Sequence, residues 1–355
     1  MSADSSGATG SQETRITNCH VHTFTAKHVP AQFLPFGLTA ALRQDIVRAP
    51  LTFIGSQLER WFGFDQLRRA MRLVAVSNYK TQGEIFTQVR GFYPKHTRFV
   101  VLPVDFEHMG SGRCPHSLDH QHTELLALAL SPEVTGLLIP FCAVDPRRQD
   151  ILNDVRRWHQ AGFRGIKLYP GLGFDPSLRN STMDAIYAYA AEHDLSIMTH
   201  CSPGGVIQRG ATRATVHAYN HPLNYEAVLT KYPKLRICLA HFGGTEEWKR
   251  YLRDPWFPTN ERSWLSIIAD MIKVHPNLFT DISFTLFHYQ ENMPTLKVFL
   301  SDQRIRERVL FGSDYYMVEL HNATEREVSI RLRAELGEAL FRQIAETNPR
   351  AYLGF

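Results

Sequence analysis

The chain has 355 residues, of which 44% are hydrophobic and 21% are charged, and its formal net charge is +4. These values are ordinary for a soluble globular protein with one large core. The small positive charge is not gathered into a basic run, so nucleic acid and anionic membrane are not expected as partners. No apolar segment approaches the roughly 18 residues of a transmembrane helix.

The N-terminal segment and the cysteines indicate in which cellular compartment the protein is expected. Residues 1–13 are rich in Ser, Gly and Thr and contain no apolar stretch like that of a signal peptide, so we expect a disordered tail. The five cysteines are scattered and never form a Cys-x-x-Cys pair. This usage is typical of a reducing environment, and it predicts a cytoplasmic protein.

Eight short apolar runs recur along the chain, with amphipathic segments between them. Runs of about 5–8 residues rich in Val, Ile and Leu are typical of strands buried on both faces. The predicted strands span residues 15–22, 98–104, 134–142, 164–169, 195–201, 235–241, 278–283 and 308–313. The predicted helices between them span residues 150–161, 181–193, 223–232, 262–275 and 293–300. This alternation predicts an α/β fold, a (β/α)₈ TIM barrel. The rival, an open doubly wound sheet, normally has a Gly-rich turn after its first strand, and none is present.

The first two predicted strands are separated by far more chain than one crossover needs. Helical patterns occupy residues 40–48, 54–62, 65–73 and 82–92. We interpret residues 31–92 as a mainly helical insertion after strand 1, with the first barrel helix at its end, inside a single domain of residues 14–355. A lid over the barrel mouth and an oligomer contact are both open interpretations of this insertion.

Polar side chains follow several of the predicted strands. The active site of a (β/α)₈ barrel lies at the C-terminal ends of its strands. His20 and His22 end the first predicted strand, and their i, i+2 spacing directs both imidazoles to one side. His200, His241 and Asp314 follow the fifth, sixth and eighth. Histidines and a carboxylate at one mouth indicate a divalent metal site, with zinc as the first choice.

These strand ends resemble the amidohydrolase superfamily, and in particular its amidohydrolase-related branch. That branch holds aminocarboxymuconate-semialdehyde decarboxylase, resorcylate decarboxylases and metal-dependent lactonases. The resemblance covers the chain from about residue 15 to the end, except for residues 31–92. It is carried by His20-Val21-His22, Gly165-Ile166-Lys167-Leu168-Tyr169-Pro170, Thr199-His200, His241-Phe242-Gly243-Gly244, Gly312-Ser313-Asp314 and the closing Asn348-Pro349-Arg350-Ala351-Tyr352-Leu353-Gly354.

The resemblance implies a ligand set and two catalytic roles. One divalent metal ion, Zn²⁺ or alternatively Mn²⁺, would be bound by His20, His22, His200 and Asp314. Asp314 would also act as general base toward a metal-activated water, and His241 would hydrogen-bond that water or the substrate. The branch usually has Asp two residues before the first His. Asn18 stands there in this chain, so we expect a ligand imidazole to have a neutral partner.

Lys167 shares strand parity with Gly165 and Tyr169, so it is expected to face the barrel interior, where an ammonium needs partners. Binuclear members of the superfamily use a carbamylated lysine of this strand to bridge two metals. In the branch that this chain resembles, the lysine more often stays an amine that meets the substrate. We therefore expect an amine, and a second metal only if Lys167 is carbamylated. Tyr169 and His217 are further candidates for substrate binding.

The leading hypothesis is hydrolysis of an amide, ester or lactone bond in a small carboxylated molecule. The alternative is a lyase, a non-oxidative decarboxylase of an aromatic or muconate-type acid, which would use the same metal site. Metal-dependent deoxyribonucleases share the barrel and the opening His-x-His, but they generally carry Glu where this chain has Lys167. Dimers are common among the relatives, so we expect a homodimer.

Overall fold

The computed structural model describes residues 15–33, 79–253, 262–283, 289–315 and 325–355. Eight parallel strands form one sheet in the order of the chain. They are β1 Thr17–Val21, β2 Arg98–Val101, β3 Leu138–Val144, β4 Gly165–Leu168, β5 Ser196–Thr199, β6 Ile237–Leu239, β7 Leu278–Asp281 and β8 Val309–Leu310. Helices lie between the strands, and the predicted (β/α)₈ barrel is confirmed.

Backbone hydrogen bonds join the segment after β8 to β1 and bring the last strand beside the first. Cys19 N donates to Phe311 O at 2.8 Å, and His22 N donates to Tyr315 O at 2.6 Å. Between them, Asp314 N donates to His20 O at 2.9 Å. Residues that are far apart in the chain are therefore neighbours at the C-terminal end of the barrel.

The described helices surround the strands. They are α1 Gln82–Gly91, α2 Leu118–Leu130, α3 Ile151–Ala161, α4 Ser181–Glu192, α5 Arg213–Asn220, α6 Glu226–Lys231, α7 Thr245–Arg253, α8 Trp264–Val274, α9 Tyr289–Ser301, α10 Gln303–Arg306, α11 Glu325–Arg342 and α12 Asn348–Leu353. In this described part of the chain, none of them has both the length and the apolar character needed to cross a bilayer. Helix α1 lies where the end of the insertion was predicted. The helices predicted at residues 40–48, 54–62 and 65–73 lie outside the described residues.

Some helix ends follow directly from residue type. The side chain of Asn180 accepts hydrogen bonds from the backbone of Thr182 and Met183 and starts α4. Gly162 follows the last residue of α3 with φ at 116°, a left-handed conformation that glycine adopts without steric cost.

Two segments differ from the predicted bounds. The third strand begins later than predicted, because Val134 N donates to Ser131 O in a turn and Gly136 takes a left-handed conformation. The predicted helix at residues 223–232 is divided into a 3₁₀ turn, Pro222–Tyr225, and α6. Apolar periodicity indicates that a helix is present, but it does not distinguish the two hydrogen-bonding patterns.

The barrel interior is apolar below its mouth. The inner layer includes Val100, Phe141, Met198 and Phe279. Tyr352 of α12 packs against this layer, with its ring centroid 5.4 Å from that of Phe279 and its backbone oxygen bonded to Ser196 Oγ, at the start of β5. Because the N-terminal end of the barrel is filled in this way, the polar interior side chains lie toward the opposite end.

Candidate metal centre

His20, His22 and Asp314 converge at the C-terminal end of the barrel. All three are buried, and their ligand atoms lie within 4.8 Å of one another. Asp314 Oδ1 is 3.2 Å from His22 Nε2 and 3.5 Å from His20 Nε2. The strand β1 carries a register shift between Asn18 and Val21, where it meets β2. The structure therefore brings together three of the four predicted ligands.

The hydrogen bonds of the two imidazoles determine which ring nitrogen is free. His20 Nδ1 lies 2.8 Å from Asp281 Oδ2, and His22 Nδ1 lies 2.7 Å from the carbonyl oxygen of Leu102. A carbonyl and a carboxylate only accept, so each Nδ1 carries the proton and each Nε2 of a neutral ring presents a lone pair. Two lone pairs and a carboxylate oxygen then face one another. Two imidazole nitrogens and a carboxylate oxygen are donors that a divalent metal ion accepts, so the residues fit such an ion.

The protonation states agree with this assignment. Burial, together with the positive charge of Lys167, lowers the pKa of His20 to about 3, so the ring is neutral near pH 7. Burial alone would raise the pKa of Asp314. The neighbouring imidazoles of His22, His20 and His241 outweigh burial and hold this pKa below its usual range. Asp314 is therefore an anion, as metal binding requires.

Backbone strain marks the same site. Asp314 has φ at 58°, His241 at 69° and Phe242 at 47°. A left-handed conformation in a residue other than glycine costs on the order of 1–3 kcal/mol and persists only where the surrounding structure enforces it. The strain at these positions turns the chain sharply at the ends of β6 and β8 and places the side chains of His241 and Asp314 in the barrel mouth.

His200 lies beside His241, outside the group of ligand atoms formed by His20, His22 and Asp314. Its Nε2 is 2.9 Å from the carbonyl oxygen of Gly204, so Nε2 donates and Nδ1 is the unprotonated nitrogen. That Nδ1 lies 3.1 Å from His241 Nε2. His200 thus presents a lone pair toward the imidazole of His241, and its predicted role as a ligand stays a prediction.

Asp281, at the end of β7, is a site residue that the sequence analysis missed. Besides bonding His20 Nδ1, it accepts from His241 N at 3.0 Å and from Ser283 N at 3.0 Å. Burial would raise its pKa, but His20 outweighs burial and keeps Asp281 ionised. One carboxylate therefore holds residues from β1 and from the end of β6. The available signal was a single Asp closing the seventh apolar run.

The structure gives Asn18 other partners than a ligand imidazole, while the neutral partner of His22 is the Leu102 carbonyl. The Asn18 side chain does not bond a ligand imidazole: its Nδ2 donates to Ser313 Oγ at 2.8 Å and to Tyr93 Oη at 3.2 Å. Its Oδ1 accepts from the backbone N–H of His20. The imidazole of His20 has a charged partner, Asp281, supplied by β7 in place of the residue two positions earlier in β1.

Lys167 faces the barrel interior, as strand parity predicted. Its side chain is 1% exposed, while Ile166 and Leu168 pack in the outer layer. Lys167 Nζ lies 3.5 Å from His20 Nε2. Burial lowers the pKa of Lys167 to about 8, against the opposing effect of Asp281 and Asp314. The ammonium is thus the dominant form at neutral pH and contributes a cation next to the candidate metal site.

Tyr169 and His217, the other two predicted substrate contacts, lie in different parts of the structure. Tyr169 stacks on His200 with ring centroids 4.3 Å apart, and its hydroxyl accepts from Val206 N at 2.8 Å. Tyr169 therefore supports the position of His200. The ring centroid of His217 lies 4.8 Å from that of Trp264, and His217 lines a separate cleft of about 520 Å³. None of the residues that line this cleft belongs to the barrel cluster, which comprises His20, His22, Lys167, His200, His241, Asp281 and Asp314. The structure therefore does not bring His217 to the candidate metal site.

Comparison with protein families gives one match, a family described as Amidohydrolase, over residues 19–355. Comparison with curated proteins gives no significant match. Many solved structures have the same fold, at low sequence identity. A probable 2-pyrone-4,6-dicarboxylic acid hydrolase from Acinetobacter baumannii is 12% identical, with TM-score 0.60, and the match covers 96% of this chain and 100% of that one.

Two decarboxylases are also similar in fold. Dihydroxybenzoic acid decarboxylase from Polaromonas sp. JS666, with bound manganese and 2-nitroresorcinol, is 13% identical with TM-score 0.58, covering 96% of this chain and 97% of that one. 5-Carboxyvanillate decarboxylase from Novosphingobium aromaticivorans, in complex with manganese, is 13% identical with TM-score 0.53, and the match covers 98% of this chain and 97% of that one. Similarity at this level concerns the fold, which both reaction types share.

Proposed function

Because the chain belongs to the amidohydrolase family, we propose that it is a metal-dependent hydrolase of an amide, ester or lactone bond in a small carboxylated molecule. The observation that carries the proposal is the convergence of two imidazole lone pairs, on His20 and His22, upon the carboxylate of Asp314. His200 would complete the ligand set. A divalent ion, Zn²⁺ or Mn²⁺, supplies Lewis-acid polarisation and lowers the pKa of water.

The residues around this group have complementary roles in the proposal. Asp314 is ionised, so its carboxylate can take the proton of the attacking water. His241 reaches the same space, with its ring centroid 5.0 Å from that of His20, and it would hydrogen-bond the water or the substrate. Lys167 carries an ammonium beside His20 and would bind the carboxylate of the substrate. Tyr169 would keep His200 in place from behind.

Non-oxidative decarboxylation is the alternative, because two of the structural neighbours are decarboxylases and the same donor set serves both reactions. In that reaction Lys167 would pair with the carboxylate that is lost, and a carbon would be protonated in place of attack by water. The two reactions differ in their products: hydrolysis releases a new acid group, whereas decarboxylation releases carbon dioxide.

A substrate panel tests the proposal. The protein, loaded with Zn²⁺ or with Mn²⁺, is incubated with lactones that include 2-pyrone-4,6-dicarboxylic acid, with amides, and with phenolic acids. We expect acid release, measured by titration at constant pH, without carbon dioxide, and we expect the Asp314→Asn variant to lose it. Carbon dioxide release alone would overturn the hydrolase proposal in favour of the lyase. A homodimer and a cytoplasmic location remain predictions.

A further inference from the structure

A second group of histidines lies outside the barrel cluster. His28 is in the loop after β1, His116 precedes α2, and His120 is in the first turn of α2. Their ring centroids are separated by 5.5 Å, 6.3 Å and 4.0 Å. Imidazoles that share one zinc ion, with Zn–N near 2.0–2.1 Å, have ring centres about 5 Å apart. The rings of His20 and His22 in the barrel are 5.1 Å apart.

Two ring nitrogens of this second group are buried without a hydrogen-bond partner among the described residues. They are Nε2 of His28, a residue that is only 2% exposed, and Nδ1 of His116. Glu124, one turn after His120 in α2, places Oε2 at 3.6 Å from His28 Nε2. A polar atom that is buried without a partner is unfavourable, because burial removes its hydrogen bonds to water. The cost would be offset by a ligand that these atoms bind.

The carboxylate of Glu124 is held in position. Its Oε1 accepts from Gln82 N at 2.8 Å, and its Oε2 accepts from Gln82 Nε2 at 3.2 Å. The ring of His28 is also held, since its Nδ1 accepts from Thr25 N at 3.0 Å. His116 and His120 line an open cleft of about 570 Å³, so ions reach this group directly from solvent.

We propose that His28, His116 and His120 bind a divalent transition-metal ion such as Zn²⁺ or Ni²⁺, with Glu124 as the fourth ligand. Three imidazoles and one carboxylate are a donor set that zinc prefers. The side chains of His116 and His120 are accessible, and they would turn toward His28 when the ion binds, because these ligand atoms are not among the groups that already lie within 4.8 Å of one another.

Metal binding also changes the tautomer of His28. A neutral His28 that offers Nε2 to the ion carries its proton on Nδ1, which would then donate to Thr25 Oγ1, 3.2 Å away, and would no longer accept from Thr25 N. The ion would tie the loop after β1 to the loop after β2, next to the bond from His116 N to Lys27 O. Both loops follow C-terminal strand ends, so the site would stiffen the rim of the barrel. The proposal is independent of the proposed function, since it uses no residue of the barrel cluster.

Metal stoichiometry tests this site. The full chain, freed of metal with a chelator, is equilibrated with Zn²⁺ by dialysis, and zinc per chain is measured by elemental analysis. The test variant is His120→Gln, which removes an exposed ligand without disturbing the core. The matched control is His96→Gln, because His96 is also an exposed histidine but lies outside the cleft. The Asp314→Asn variant reports on the barrel site separately.

We expect His120→Gln to bind one zinc equivalent fewer than the wild type and the His96→Gln control, with its activity unchanged. Asp314→Asn should keep the equivalent that His120→Gln loses, and Zn²⁺ should still raise its melting temperature. Replacing Zn²⁺ by Co²⁺ should give the visible absorption of a tetrahedral site, lost in His120→Gln. Equal zinc content in His120→Gln and wild type would overturn the proposal.

Discussion

His20 Nδ1 donates to Asp281 Oδ2 across 2.8 Å, and this bond leaves the Nε2 lone pair of His20 directed at Asp314. A carboxylate behind a ligand imidazole fixes the ring and its tautomer and increases its basicity. In the proposed metal site, Asp281 performs this role from β7, the strand next to β8. The metal site therefore depends on a residue that binds no metal in the proposal.

Replacing Asp281 by Asn should weaken metal binding without unfolding the protein. The amide oxygen can still accept from His20, but the negative charge that favours the metal-bound imidazole is lost. Loss of such a partner typically lowers metal affinity by about 10–100-fold. Competition with a chelating dye measures the affinity. Asp145→Asn is the control, because Asp145 is a buried carboxylate that pairs with Arg147 and belongs to neither group of converging ligand atoms. Equal affinities of the two variants would contradict the role of Asp281.

Replacing Asp314 by Asn should abolish activity while the fold is kept. Asp314 has φ at 58°, and Asn is one of the few residues that tolerate this conformation, so the backbone turn survives. The amide cannot accept a proton at neutral pH, and we expect kcat to fall by at least about 100-fold. Circular dichroism checks the fold. A variant that folds and stays active would remove Asp314 from the role of base.

Replacing Gly205 by Ala should displace His200. A Cβ at Gly205 would lie 2.7 Å from the His200 ring and would also clash with the Tyr169 hydroxyl. We expect weaker metal binding if His200 is a ligand. Gly210→Ala is the matched control in the same loop, since Gly210 also has positive φ but a Cβ there meets nothing within 4 Å. Both variants carry the backbone strain, so only their difference reports on His200. Unchanged metal affinity in Gly205→Ala would argue against His200 as a ligand.

Replacing Lys167 by Ala should leave the number of metals in the barrel unchanged. The Lys167 amine lies 3.5 Å from His20 Nε2, and we predict that it stays an amine and does not form a carbamate that bridges two ions. The barrel metals alone are measured by elemental analysis of the His120→Gln variant and of the double variant that carries both His120→Gln and Lys167→Ala. A fall from two equivalents to one or none would show that Lys167 bridges two ions as a carbamate.

Acid should destabilise the fold in part through His122. This ring is buried between Trp158 and Phe163, its Nε2 accepts from Ala143 N, and burial lowers its pKa from 6.5 to about 3. Above pH 6.5 the ring is neutral in both states, and between pH 6.5 and 3 only the unfolded chain binds the proton. Stability is therefore lost as pH falls through this window.

The measurement is the free energy of unfolding in urea between pH 7.5 and 4.5. His122→Gln keeps an acceptor for Ala143 N but cannot be protonated, so it should be less stable at pH 7.5 and should show a shallower pH dependence. His96→Gln, at an exposed site, should retain the wild-type slope. An identical slope in His122→Gln and wild type would show that His122 does not contribute.

Local sequence predicted much of this architecture for a physical reason. A strand buried on both faces must be apolar along its length, and the turns around it need Gly, Pro, Asn or Asp, so barrel strands leave a readable pattern. Strand parity likewise predicts that Lys167 faces the barrel interior. His20 and His22 were recognisable because both histidines lie at the end of one predicted strand, two residues apart.

The sequence alone thus determined the order of strands and helices and the residue types at the barrel mouth, because both depend on short-range patterns of burial and charge. Only the tertiary structure decided which side chains meet. Asp281 bonds His20 across 261 positions of the chain, whereas Asn18, only two positions away, binds Ser313 and Tyr93 instead. The ring of His217 lies against that of Trp264 and does not meet the candidate metal site. Contacts of this kind depend on how the barrel closes and how its loops turn, which no local pattern encodes.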